Sequence, residues 1–263
     1  MSREKPEFYG YDLLAPKAKR LKGRLIVLEG TDGVGRSSQI ALLREWLENE
    51  GYAVATSGLK RGKLAGKGLS KAMEGHTLGD ITMNLLYATD FADRLEGEII
   101  PALRAGFIML TDRYIYSIIV RSLVRGADPE WIRNLFSFAL VPDIVFYLQA
   151  DVNSLIPRVL NARGFDYWES GLDFLRGGDY YDSFVEYQRL ILAQFDSIAD
   201  EYGFCRIDAN RSMHQVFKDL QAGIRTVIAD MKPTKQPAET KPDAKGKEKE
   251  EEKAKGGDKR KRG

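Results

Sequence analysis

At 263 residues and 43% hydrophobic composition, the chain can bury a full core, and one α/β domain with tails accounts for its length. A formal charge of +2, a single cysteine (Cys205) and two histidines exclude an internal disulfide framework and a Cys/His metal cluster. No apolar stretch is long enough to cross a bilayer, and the charged residues 1–8 do not resemble a secretion signal, so a cytoplasmic enzyme is expected.

In chain order, residues 1–22 read as an extension rather than core, followed by a domain over 23–231 and a charged tail over 232–263. Short apolar runs predict strands at 25–28, 53–56, 107–111, 144–148 and 204–207. Between them, helical periodicity predicts helices at 38–49, two within 78–105, then 130–139, 180–202 and 214–231. This alternation is that of a parallel sheet covered on both faces. The tail from Lys241 onward mixes Lys, Glu, Asp and Gly with almost no apolar residues, so it is expected to be disordered. Its basic end reads as a solubilising segment before it reads as a contact for nucleic acid or anionic lipid. Cys205 is expected as a small core residue in the last strand, and His76 and His214 are assigned no catalytic role.

The first strand runs straight into Gly30-Thr31-Asp32-Gly33-Val34-Gly35-Arg36-Ser37, with Ser38 opening the next helical pattern. Glycines at this spacing let the chain turn tightly and bring backbone N–H groups to phosphate oxygens, while the helix N-terminus adds partial positive charge. A turn that binds nothing would need only one or two glycines, so a nucleoside triphosphate is the expected guest. The third strand delivers Asp112-Arg113-Tyr114 to the same edge of the sheet. Alone, that pair reads as a strand-end salt bridge; beside the phosphate loop it reads as one site. There Asp112 holds magnesium through water or orients an acceptor phosphate, and Arg113 grips an anion. The basic loop of residues 59–67, which carries Arg61, suits an anionic acceptor.

Residues 29–39, Glu-Gly-Thr-Asp-Gly-Val-Gly-Arg-Ser-Ser-Gln, resemble the E-G-x-[DE]-G-x-G-K-[ST]-[ST]-Q segment of thymidylate kinases. Asp112-Arg113-Tyr114 with Ser117 resembles their D-R-Y-x-x-S, and residues 141–149 resemble their P-D-[LIV]-V-x-[FLY]-L-[DQ] strand. Leu85-Leu86-Tyr87-Ala88 followed by Ile100-Pro101-Ala102-Leu103 resembles the helix over their nucleoside pocket. The resemblance spans about residues 23–228. It implies a P-loop NTPase fold, a three-layer α/β/α arrangement on a five-stranded parallel sheet with a short lid. It also implies an ATP-dependent kinase of a nucleoside monophosphate, dTMP foremost, using Mg²⁺.

On that resemblance, Gly30 and the backbone from Gly33 and Val34 through Gly35 to Ser38 hold ATP. Ser37 and Asp112 hold the metal, Arg36 reaches the β- and γ-phosphates, and Asp32 faces the acceptor. Arg61, Phe91, Arg94, Arg113, Tyr114 and Ser117 complete the acceptor site. Arg163 is the expected lid donor, since lid arginines act where transition-state charge develops. The family also suggests a homodimer through 78–103 and 130–139. Four departures accompany these matches: Arg36 stands for lysine, Phe91 stands where the family has a thymine-contacting arginine with Arg94 one turn later, the family's Arg-Glu-Pro-Gly-like segment after the second strand is not present as such, with Arg61 where its phosphate-gripping arginine would fall, and one lid arginine is absent. Two further readings therefore stay open: a kinase for another nucleotide, and a nucleotide-binding regulator with weak catalysis.

Overall fold

A computed structural model describes residues 7–64, 66–74, 78–162, 164–175 and 179–233. Arg163, His76 and residues 234–263 lie outside these, and with them the expectations attached to the lid arginine and most of the tail.

Five strands, β1 (Arg24–Glu29), β2 (Val54–Gly58), β3 (Ile108–Asp112), β4 (Ile144–Gln149) and β5 (Cys205–Asp208), form one sheet in the order β2-β3-β1-β4-β5. Every neighbouring pair is parallel. All six residues of β1 are buried, as a central strand covered on both faces requires. Alternation then sorts its side chains. Leu25 and Val27 join Met109, Val145 and Tyr147 in one cluster, whereas Ile26 and Leu28 join Leu110, Phe146 and Leu148 in the other.

The second cluster is closed by α1 (Arg36–Asn49) and by α9 (Met213–Ile228), through Leu43, Leu47, Leu220 and Ile224. The first is closed by a nearly continuous rod and three more helices. The rod is α3 (Asp80–Arg94), a π turn at Leu95–Ile99, and α4 (Ile100–Ala105). The other three are α5 (Ile115–Val124), α6 (Pro129–Leu135) and α8 (Tyr180–Tyr202). Two further helices, α2 (Gly66–Glu74) and α7 (Val152–Ala162), stand at the sheet's carboxyl edge. The five strands and the long helices thus fall where periodicity placed them. Three helices do not appear in that reading. In α5 the β-branched run Ile115-Tyr116-Ser117-Ile118-Ile119-Val120 hides the helical period because seven of its ten residues are buried. In α7 Pro157 stands inside the helix, and α2 begins within the glycine-spaced basic loop.

The extension is also corrected in its described part. Leu14, Ala18 and Leu21 are buried in the first cluster, and Phe8 bridges to Leu140. Their i, i+4, i+7 spacing is a helical signature, but over eight residues it is too short to stand out among the flanking lysines. Among the described residues no helix is long and apolar enough to cross a membrane.

Candidate functional site

Parallel register assembles the site. Asp112 at the end of β3 lies beside Leu28 of β1 on one side and Gly58 of β2 on the other. The turn after β1 therefore shares a crevice of about 460 Å³ with the ends of β2 and β3, and with Arg158 and Val159 of α7. Gly30 (φ +141°) can be nothing else, because a Cβ there would meet the Leu148 carbonyl at 2.6 Å. Gly35 (φ +99°) opens on the crevice, with nothing within 4 Å of its missing Cβ, and no side chain caps α1. The first N–H groups of α1 are thus left for a ligand.

Arg36 lies against its own loop. Its Nε donates to Asp112 (2.8 Å), its Nη1 to the carbonyls of Gly30 and Thr31, and its Nη2 stands 3.8 Å from Asp32. The Ser37 hydroxyl donates to the other Asp112 oxygen at 2.8 Å. Asp32 accepts from Arg113 and from Arg121. Burial raises the Asp32 carboxyl, but the pull of Arg113, Arg121 and Arg36 outweighs it and holds the group well below the ordinary carboxylate range. Asp112 is lowered in the same way, with Arg36 overcoming burial. Lys60 is lowered by burial first and then by Arg121 and Arg113. Four cations thus crowd two carboxylates, and the buried Nε of Arg113 has no hydrogen-bond partner among the described residues. An incoming phosphate dianion would offset that surplus.

Behind the crevice, Glu29 fixes the turn that carries Arg113. Its carboxylate accepts from the backbone N–H of Tyr114 (2.7 Å) and Ser117 (3.3 Å) and from the Ser117 hydroxyl, which caps α5 from the end of β1. Arg113 itself sits at φ +70°, a strained conformation held by its N–H bond to Leu28.

Next to the crevice, across Leu59, lies a mainly apolar cavity of about 410 Å³. Met73 of α2, Met83, Asn84 and Tyr87 of α3, Ile118, Arg121 and Ser122 of α5, Arg125, Trp131 of α6, and Trp168 line it. Trp168 donates from Nε1 to the Met73 carbonyl at 3.0 Å. Arg125 binds Asp173 through two hydrogen bonds and donates to the Tyr187 hydroxyl, so the segment of residues 164–175 is tied to α2 and α8.

A family model described as Thymidylate kinase matches residues 28–220. The chain belongs to the thymidylate kinase family. It is 35% identical over 212 residues to the probable thymidylate kinase 2 of Saccharolobus solfataricus, covering 80% of this chain and 97% of that one. It is 31% identical over 216 residues to the probable thymidylate kinase of Thermococcus kodakarensis, covering 78% and 98%. The thymidylate kinase of Brachyspira hyodysenteriae is 34% identical over 146 residues, covering 55% and 72%. Membership makes the chain a nucleoside monophosphate kinase.

Most residues expected of a thymidylate kinase site meet in the crevice: Asp32, Gly33, Gly35, Arg36, Ser37, Ser38, Arg61, Asp112 and Arg113. Gly30 and Val34 shape the loop from beneath it. Four expected substrate contacts do not reach either cavity. Phe91 is fully buried, edge-to-face against Tyr114 and Phe136. Arg94, also fully buried, donates to Asp90 and Ser57, and Asp90 in turn accepts from the N–H groups of Lys60 and Gly62. Arg94 therefore braces the basic loop from within. Tyr114 donates to the Leu140 carbonyl, and Ser117 to Glu29. Sequence spacing placed Phe91 and Arg94 on the correct helix but could not say which of its faces meets the cavities, and it gave no helix for Tyr114 and Ser117 at the start of α5.

Arg121 and Asn84 were missed. Arg121 and Arg125, one turn apart on an otherwise apolar helix, were the available signal.

Proposed function

We propose that this chain transfers the γ-phosphoryl of ATP to dTMP, with the polar crevice holding the phosphates and the apolar cavity holding the nucleoside. One observation carries the reading: the two cavities share Leu59, and Arg121 of the apolar one donates to Asp32 of the polar one. A nucleoside monophosphate has that same division into a flat apolar ring and a dianion. Family membership supports the choice of dTMP.

Phosphoryl transfer asks a protein for alignment, charge neutralisation and exclusion of water. Here the N–H groups of Gly33 to Ser38 face the ATP phosphates. Arg113, Arg121 and Lys60 draw the acceptor phosphate toward Asp32, and Arg36 lies beside both. The Ser37 hydroxyl and the Asp112 carboxylate, joined at 2.8 Å in the crevice, are hard oxygen donors of the kind Mg²⁺ takes. When bound, the ion neutralises charge shared between the β- and γ-phosphates. Ser37 and Asp112 would hold the ion, while Asp112 also keeps its bond from Arg36.

ADP release from Mg-ATP, with dTMP, dUMP, dCMP, UMP, AMP and GMP each as acceptor, tests this reading. Turnover should be greatest with dTMP and be abolished in Asp112→Ala. Equal turnover across the panel, or full activity in Asp112→Ala, would sink it.

A further inference from the structure

The apolar cavity contains few polar groups, and most of them are engaged. Arg121 is paired with Asp32, and Arg125 with Asp173 and Tyr187. The Tyr87 hydroxyl donates to the Met73 sulfur at 3.3 Å, and Trp168 Nε1 to the Met73 carbonyl. Asn84 differs. It is 5% exposed, on the cavity wall, and its carbonyl oxygen accepts from the Ser122 hydroxyl at 2.6 Å. Its amide nitrogen has no hydrogen-bond partner among the described residues. A nearly buried amide on the wall of an apolar cavity, with its oxygen fixed and its N–H₂ without a partner among the described residues, is a donor waiting for an acceptor.

We propose that Asn84, positioned by Ser122, reads the acceptor base by donating to a ring carbonyl and thereby selects keto bases over amino bases. The proposal rests on the cavity being the base pocket. Thymine and uracil offer O4 to the Asn84 N–H₂. Cytosine would bring its own N4 amino group against that donor, leaving two donors facing each other in a site with little water to pair them. Ser122 on α5 prevents relief by rotation, because turning the amide over would face its N–H₂ to the Ser122 hydroxyl and require that hydroxyl to give up its own donation. The family's usual arginine has its counterpart at Phe91, which points into the core, so discrimination is supplied from one turn and three residues earlier on the same helix. Tyr87 and Trp131 provide apolar walls for the ring and Met83 room beside it, contacts that a methyl group favours but that do not separate keto from amino.

The test is the ratio of kcat/KM for dTMP to that for dCMP in the full chain, in Asn84→Asp and in Ser122→Ala. Asn84→Asp replaces the free donor with an acceptor and should lower the ratio by about tenfold or more. Ser122→Ala releases the amide to rotate and should lower it less, through KM rather than kcat. A structural role for either residue would depress both substrates together and leave the ratio unchanged. An unchanged ratio in both variants, with dTMP turnover intact, overturns the assignment. Absence of turnover in the wild-type protein would overturn the functional reading instead. Calorimetric binding of dTMP and dCMP to the same three proteins then judges Asn84 separately, and equal wild-type affinities for the two would overturn it.

Discussion

The polar crevice and the apolar cavity share a wall but are built on opposite physical terms. In the crevice, Asp32, Asp112, Arg36 and Arg113 are joined to one another, and Asp32 also to Arg121 of the neighbouring cavity, so each group is held in place by its charged neighbours. Removing any one of them leaves another buried charge uncompensated. In the cavity, Met73, Met83, Ile118, Trp131 and Trp168 contribute shape, and a change of one side chain alters a contact area rather than stranding a charge. The charged half is therefore brittle and the apolar half tolerant, except at Asn84, whose amide N–H₂ has no hydrogen-bond partner among the described residues.

Phe91 offers the widest break in that division, because it belongs to neither half. Phe91→Ala should cost about 3–5 kcal/mol in urea unfolding through the cavity it leaves, with KM for dTMP unchanged in the fraction that remains folded. A raised KM at full stability would return Phe91 to the base pocket. Next in size is Arg113→Ala, which strips Asp32 of a partner and the acceptor phosphate of a donor. Steady-state kinetics should show kcat/KM for dTMP reduced on the order of a hundredfold to a thousandfold. A loss no greater than a peripheral contact produces would mean that the crevice is not brittle at all.

The smallest effect is a pH dependence behind the crevice. Burial raises the Glu29 carboxyl above its ordinary value of 4.5, more than the bonds from Ser117 and Tyr114 and the charges of Arg36 and Arg113 lower it. The folded state therefore holds that proton more tightly than the unfolded chain does. Its stabilisation is complete below the unfolded value and is lost as pH rises through the folded one. Glu29→Gln cannot lose a proton, so unfolding curves should show the variant gaining on the wild-type protein as pH climbs from the mid-acid range toward neutrality. A constant difference between the two would show that Glu29 does not titrate in this window.

Much of this architecture was legible without coordinates, for identifiable reasons. Central parallel strands are buried on both faces, so β1, β3 and β4 appear as unbroken apolar runs. The phosphate loop is legible because its function is carried by consecutive backbone amides, and the glycines that permit their geometry are adjacent in the chain. α5 was not legible, because a helix buried nearly all round has no polar face to mark its period, and its β-branched residues favour strands. The expected extension carried its Leu14, Ala18 and Leu21 on too short a segment to reveal that they pack into the core.

The sequence by itself determined the parallel α/β fold, the phosphate loop, and the meeting of Asp112 and Arg113 with that loop, since each follows from local spacing at the ends of strands. Only the tertiary structure decided which side chains reach the two cavities. Phe91 and Arg94 turned inward while Asn84, Tyr87 and Arg121 turned toward the cavities, because helix orientation is set by the packing of α3 on α5 and of α5 on α8. That rotation depends on contacts between residues far apart in the chain, which no spacing along one helix records.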